Sequence, residues 1–484
     1  MLIDLLGFGK GRMMSDMLQD AINSYLENHW EDVIADLDVL VRIASVEKLD
    51  EGTEKAPYGP GPRAALTAVL EIAECMGFET CDCEGRIGYA DMPGESETQI
   101  GIIGHVDVVP AGPGWTFPPF EVSRKEGYLI GRGVADDKGP VVVALHALKF
   151  WRDRLETEGC RFPYTVRFLF GANEETNMKD VVYYREHYPD PAFLFTPDAE
   201  FPVCYGESGI CSGTLSSAPI GGGSVVELEG GVAVNAVPGQ AWVRLKCDTS
   251  GLQPTDKVEV EQVDGGSIVR ANGKPAHAST PELGENAIDI LAAYLLENSV
   301  LSEEESAFFE MARKVTAHYD GTGLGIEATD EHLGDLTSVA GKAWLEGGRI
   351  CFSIDFRYPT TTTSTAIEQR VNEVASACGA SFVMQHDKVP FLMDPASPAV
   401  KALLDAYNEV TGEHAEPFTM KGGTYARVFT TGVSFGPEKP WEPKPEWVGG
   451  MHGPDEGIRE DLLKQAFGIY VCTIQKLMSA DLRA

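Results

Sequence analysis

At 484 residues the chain is too long for one simple hydrophobic core, so two domains are the default expectation. Its 74 acidic residues against 39 basic ones leave a formal charge of −35. Such a surface repels nucleic acid and anionic membranes and suits divalent cations. The ten cysteines show no spacing of a structural zinc set, which fits a reduced, cytoplasmic chain, and no run approaches the length of a membrane span. The opening Met1-Leu-Ile-Asp-Leu-Leu-Gly-Phe8 carries an early aspartate and no basic start, so it is not read as a signal peptide.

From Met17 to about Ile43, apolar residues such as Leu18, Ile22, Leu26, Val33 and Leu37 recur at helical spacing. They predict an amphipathic helix or helix pair. Ala64 to Met76 is helical again, after the rigid Pro57–Pro62 loop. The apolar run Gln99 to Val108 predicts a strand that brings His105 and Asp107, two residues apart, to one face at its end. Strand ends are where α/β sheets bind ligands. An imidazole there with a carboxylate behind its other ring nitrogen is the arrangement of a supported metal ligand.

Gly131-Arg-Gly-Val-Ala-Asp-Asp-Lys-Gly-Pro140 then places Asp136 and Asp137 just before an apolar helix, Val141 to Trp151. The strand Thr165 to Ala172 ends in Glu174 and Glu175, and the strand Ala192 to Thr196 ends in Asp198. Strand, acid, helix, strand, acid is an α/β pattern with acids gathered at one edge. Past Tyr205 the texture changes to alternating strands punctuated by glycines, with helices Asn286 to Glu297 and Thr363 to Ala377 and a strand Arg349 to Arg357. This predicts an inserted α+β domain of enlarged ferredoxin-like type. From Pro390 the first texture returns, ending in a helix to Met478. The expected organisation is a discontinuous α/β catalytic domain, 1–205 and 389–484, with a lid domain at 206–388.

His105, Asp136, Glu174 with Glu175, Asp198 and the late His452 form a set of nitrogen and oxygen ligands adequate for two divalent ions sharing one carboxylate. Taken singly, Asp136 and Asp137 also read as complements to a helix dipole, Glu174-Glu175 as a solvated turn, and Asp198 as a helix cap. Their coincidence at successive strand ends favours the metal site.

These motifs, Gly104-His-Val-Asp-Val-Val-Pro110, Gly131 to Gly139, Glu174-Glu175-Thr176, Thr196-Pro197-Asp198 and Met451-His452-Gly453, resemble the di-zinc peptidases of the aminoacylase and glutamate-carboxypeptidase superfamily. The nearest branch is that of the peptidase V (Xaa-His) dipeptidases. The resemblance implies that His105, Asp136 and Asp198 hold one zinc and Asp136, Glu175 and His452 the other, with cobalt or manganese as substitutes. It implies Asp107 as the orienter of His105, a cis bond between Asp136 and Asp137, and Glu174 as the general base toward a metal-bridging water. In the insertion it implies His277 as the oxyanion stabiliser, and Asn235, Arg357 and the Gly422-Gly423 amides as substrate-binding groups. Lys421, before those glycines, departs from the family pattern. The expected function is a monomeric metallodipeptidase acting on small peptides with a free amino terminus. An N-acyl-amino-acid deacylase of the same fold is the alternative, and an inactive binding protein a more distant one.

Overall fold

A computed structural model of the protein describes residues 12–482. The Met1–Phe8 reading lies outside them. The chain divides into two units: one built from the chain up to Tyr205, Met393–Phe418 and the chain from Gly423, and a second from Gly206–Leu392 and Thr419–Gly422. At the passage between the units the strand Phe391–Leu392 pairs with Cys204–Glu207, Phe391 opposite Glu207 and Leu392 opposite Gly206.

In chain order the first unit begins with α1 (Arg12–Val41), α2 (Pro60–Cys75), β1 (Glu79–Cys83), β2 (Ile87–Met92) and β3 (Gln99–His105). It continues with α3 (Lys138–Glu158), β4 (Thr165–Gly171), α4 (Lys179–His187) and β5 (Phe193–Thr196). The second unit supplies β6 (Gly209–Ser216), β7 (Val225–Gly230), β8 (Gln240–Leu245), β9 (Val258–Val263), β10 (Gly266–Asn272), α5 (Ala287–Glu297) and α6 (Glu303–Thr316). Then come β11 (Thr337–Glu346), β12 (Arg349–Tyr358), α7 (Ser364–Ala375) and β13 (Ser381–Lys388). The first unit resumes with α8 (Pro398–Thr411), β14 (Gly432–Ser434) and α9 (Glu460–Leu477).

The first unit's sheet runs β1-β2-β4-β3-β5-β14, with β4, β3, β5 and β14 mutually parallel and β1 and β2 antiparallel at the edge. A parallel core buried on both faces demands apolar residues at successive positions, with neighbours serving opposite faces. Phe168, Phe170, Phe193 and Phe195 join the main core with α2, α3, α8 and α9, while Ile103, Leu169 and Leu194 join Val181, Tyr184 and Tyr425 in a separate cluster. The carboxyl ends of β3, β4 and β5 therefore lie side by side. Any polar residue just beyond them is held against its neighbours.

The second unit is an eight-stranded antiparallel sheet, β9-β10-β8-β7-β11-β12-β6-β13, whose core is shared with α5, α6 and α7. It is an α+β domain inserted into an α/β domain. Two helix starts are fixed by side chains, Asn286 accepting from Ile288 N and Asp289 N, and Ser302 with Glu305 forming a reciprocal capping box.

Candidate metal centre

The centre is assembled in the first unit from the carboxyl ends of the parallel strands β3, β4 and β5 and from two further loops, those that carry Asp136 and His452. His105, the last residue of β3, is fully buried. Its Nε2 lies 3.0 Å from Asp136 Oδ1 and 3.7 Å from Asp198 Oδ2, and its Nδ1 lies 3.0 Å from the main-chain oxygen of Asp107. Asp136 stands at a cis peptide bond to Asp137. Asp137 does not cap α3 with its side chain; its Oδ2 accepts from His105 N at 3.1 Å. That approach needs Gly104, since a Cβ there would sit 2.5 Å from the same Oδ2 and 2.4 Å from Val141 Cγ2.

A second group shares Asp136. His452 Nε2 lies 3.0 Å from Asp136 Oδ2 and 3.0 Å from Glu175 Oε2. Its side chain is 55% exposed against none for His105, so solvent reaches this side of the pair. The ligand atoms of His105, Asp136 and Asp198 all lie within 4.8 Å of one another, as do those of Asp136, Glu175 and His452. The adjacent Glu174 has its main chain fixed by Asp107, whose carboxylate accepts from Glu174 N at 3.2 Å and Glu175 N at 3.1 Å. The expected support of His105 by the Asp107 carboxylate is thus carried mainly by the carbonyl of the same residue. Oδ1 stands 3.5 Å from Nδ1, and the carboxylate is occupied by the two glutamate amides.

Whether cations fit is decided by the donors and their charge. Burial and the neighbouring Asp136 charge push Asp198 up to about 7 and also raise Glu175. Burial alone would also raise Asp136, yet hydrogen bonds from His105 and His452 hold it below the ordinary carboxylate range. Hydrogen bonds to Asp136 and Glu175 push His452 up to about 11. His105 also sits well above its ordinary value: burial opposes the shift, but Asp107 and Asp136 outweigh it. Glu175 Oε1 is buried with no hydrogen-bond partner. Two imidazoles among packed carboxylates, one of them common to both groups, with an unsatisfied buried carboxylate oxygen, are donors that fit divalent cations.

Residues without an assigned role in the sequence reading hold these loops. Arg132 and Glu456, 1% and 0% exposed, pair at 2.5 Å. Glu456 Oε1 accepts from Gly133 N, Ala135 N and Asp136 N, while Arg132 Nη2 donates to the carbonyls of His452 and Gly453. One ion pair therefore ties the Asp136 loop to the His452 loop. Asp180 Oδ2 accepts from Ala172 N, Asn173 N and the Tyr425 hydroxyl, and the Tyr425 ring stands 6.4 Å from that of His105. The buried Lys138 Nζ ties α3 to the carbonyls of Leu40 and Ile43 at the end of α1.

The second unit gathers its own set. Asn235 precedes the short strand Ala236–Val237, which pairs with Ala276–His277, and its carbonyl accepts from Ala278 N. Arg357 on β12 faces Thr337, whose hydroxyl donates to the carbonyl of Ala278, so Asn235, His277 and Arg357 are neighbours. Arg357 is 6% exposed; its Nε and Nη2 engage both oxygens of Asp355, at 2.6 and 3.1 Å, and its Nη1 donates to the carbonyl of Lys421 at 3.0 Å. Gly422 falls in the second unit and Gly423 in the first.

Known proteins are similar to this chain along nearly its whole length. The chain is 31% identical over 464 residues to a beta-Ala-Xaa dipeptidase of Lactobacillus delbrueckii subsp. lactis, covering 92% of this chain and 96% of that protein. It is 32% identical over 468 residues to the putative dipeptidase YtjP of Bacillus subtilis (strain 168), covering 92% and 97%. The fold is similar to that of the solved di-peptidase Dug1p of Saccharomyces cerevisiae, with a TM-score of 0.59 at 14% identity over 95% of this chain and 98% of that one. Residues 101–476, which include every ligand of the centre, match the model of peptidase family M20/M25/M40, and the chain belongs to that family.

Proposed function

We infer that the protein is a metallodipeptidase that hydrolyses the peptide bond of dipeptides with a free amino terminus. The observation that carries this reading is the Asp136 carboxylate, with one oxygen at each of two histidine-bearing ligand groups. The similarity to dipeptidases along nearly the whole chain supports the substrate class. His105, Asp136 and Asp198 would hold one ion, and Asp136, Glu175 and His452 the other. We take zinc as the native metal. When bound, such ions supply Lewis acidity at the scissile carbonyl and make water more acidic.

The chain's own groups do the rest. Glu174 accepts a proton from the attacking water and delivers it to the leaving amine nitrogen. Its carboxyl is pushed well above the usual range, first by burial and then by Asp198, Glu175 and Asp136 against the opposing charge of His105. That matches its proton affinity better to neutral pH. Asp107 fixes the main chain of Glu174 and Glu175, so the base and a ligand move as one piece. His277 stabilises the developing oxyanion and Asn235 adds a hydrogen bond. The substrate's carboxyl end is assigned to the neighbourhood of Arg357 and the Gly422-Gly423 amides.

Residues 1–205 and 389–484 are the proposed catalytic domain and 206–388 the proposed lid. The protein is proposed to act as a cytoplasmic monomer: all ten cysteines are free, and no helix of the described residues is long and apolar enough to cross a membrane. The lid is larger than one ferredoxin-like unit, which supports a site complete within one chain. A stable dimer by light scattering would contradict this. The activity is tested on a panel of free dipeptides and N-acyl amino acids, with and without a chelator. Dipeptide cleavage that the chelator abolishes and zinc restores is expected; faster cleavage of N-acyl amino acids, or no effect of chelation, overturns the reading.

A further inference from the structure

Cys81 and Cys83 stand two apart on β1, so both thiols leave the strand on one face, while Asp82 between them takes the other and engages Gly85 N and Arg63. The antiparallel register sets Tyr89 of β2 directly opposite Cys81. Cys83 is buried and Cys81 half-buried, and both pack in the cluster that holds Tyr89, Tyr183, Tyr184 and Tyr188. The rings of Tyr89 and Tyr188 meet edge to face with centroids 5.9 Å apart. Each thiol interacts with the other and with one phenol, Cys81 with Tyr89 and Cys83 with Tyr188.

A disulfide does not suit this pair. Residues two apart on an extended strand have Cα atoms roughly 6.4–6.8 Å apart and parallel Cβ directions, at the limit of what an S–S bond spans. Two metal–sulfur bonds in line, each on the order of 2.3 Å, span roughly 4.6 Å and bridge such a pair without bending the strand. Among the described residues the pair has no third histidine, cysteine or carboxylate in ligand range, which leaves out a tetrahedral zinc site. Sulfur donors alone select a soft ion. Burial pushes the Cys83 thiol up to about 12, so at neutral pH it is held uncharged and is a poor nucleophile. The Arg86 guanidinium, in the turn after β1, lies 5.2 Å from the Tyr183 ring centroid; its Nε is buried without a hydrogen-bond partner, and it makes no ion pair among the described residues. A cation without a close counter-charge beside the cluster offsets the negative charge that two thiolates would bring.

We propose that Cys81 and Cys83 form a two-coordinate site for a monovalent thiophilic cation of the copper(I) class, apart from the nitrogen and oxygen donors of the centre around Asp136. Binding forms two metal–sulfur bonds, breaks two S–H bonds and releases both protons to water, so the ion is held as a bis-thiolate with one net negative charge. The strong affinity of a soft ion for sulfur is what displaces the protons that burial otherwise retains.

The test titrates the zinc-loaded protein, reduced and free of oxygen, with copper(I) supplied as its bicinchoninate complex, and compares wild type with Cys81→Ser, Cys83→Ala and Cys75→Ser, with folding checked by circular dichroism. Wild type is expected to withdraw one tightly held copper(I) per chain, and so is Cys75→Ser, whose exposed thiol lies on α2. Cys81→Ser and Cys83→Ala each remove one of two ligands, so affinity should fall by more than the roughly 10- to 100-fold that loss of a supporting outer group costs. X-ray absorption at the copper edge should show two sulfur neighbours and no nitrogen or oxygen. Wild-type copper affinity in Cys81→Ser overturns the proposal, and so does a wild type that leaves the copper with bicinchoninate or that surrounds it with nitrogen and oxygen. If Cys83→Ala fails to fold, the half-buried Cys81→Ser decides alone.

Discussion

Asp136 stands between His105 and His452, with Oδ1 3.0 Å from one imidazole Nε2 and Oδ2 3.0 Å from the other. Removing a group common to both ligand sets should weaken both together. Asp136→Ala is expected to fall well below the roughly two ions per chain of the wild type, read by elemental analysis after dialysis. Two tightly held ions in that variant would show that the carboxylate does not bridge.

The Arg132–Glu456 pair should matter for stability as well as for metal binding. Glu456→Gln leaves a fully buried guanidinium without its counter-charge while roughly preserving volume. The expected cost is about 3–5 kcal/mol of unfolding free energy, with weaker metal binding from the loosened Asp136 and His452 loops. Denaturant unfolding measures the first and metal titration the second. A variant of wild-type stability would make the pair dispensable.

Metal uptake should release protons. Hydrogen bonds to Asp136 and Glu175 push His452 up to about 11, hydrogen bonds to Asp107 and Asp136 raise His105 against the effect of burial, and a divalent ion requires those nitrogens bare. Because His452 at about 11 lies above working pH, its proton leaves on binding and apparent affinity rises with pH. Calorimetric titration with zinc at pH 7 in buffers of different ionisation enthalpy should give enthalpies that differ accordingly. Buffer-independent enthalpies would contradict this.

The free amino terminus is the second restriction that makes a dipeptidase. On the proposed function the metal-site carboxylates, Asp198 in particular, would supply a negative field for a substrate ammonium. Free dipeptides should therefore be cleaved faster than their N-acetylated forms by about 1.5–3 kcal/mol in the transition state. Equal kcat/KM for the two, measured side by side, would move the assignment to the deacylase.

What the sequence disclosed follows the physics of each element. His105, Glu174, Glu175 and Asp198 end or closely follow parallel strands, and the strands are legible because their apolar runs are continuous. Spacing tells which face a residue takes, not which of its atoms bonds, so the carbonyl of Asp107 at His105 Nδ1 was beyond reach. The Arg132–Glu456 pair joins positions 324 apart in sequence, where no local pattern connects them. Other omissions had a signal. Ser302 and Glu305 spell a capping box before α6, and Asp264-Gly265 marks the turn between β9 and β10. The capture of the Arg357 fork by Asp355 was also legible, since residues two apart on a strand share a face.

The central claim, a metal-dependent hydrolysis in which Glu174 carries the proton, is tested most directly by measuring metal content and turnover on one sample of Glu174→Gln. The account predicts wild-type metal content, because Glu174 is not a ligand, with kcat on a free dipeptide lower by about 10²- to 10⁴-fold. Wild-type turnover in the metal-replete variant would contradict it.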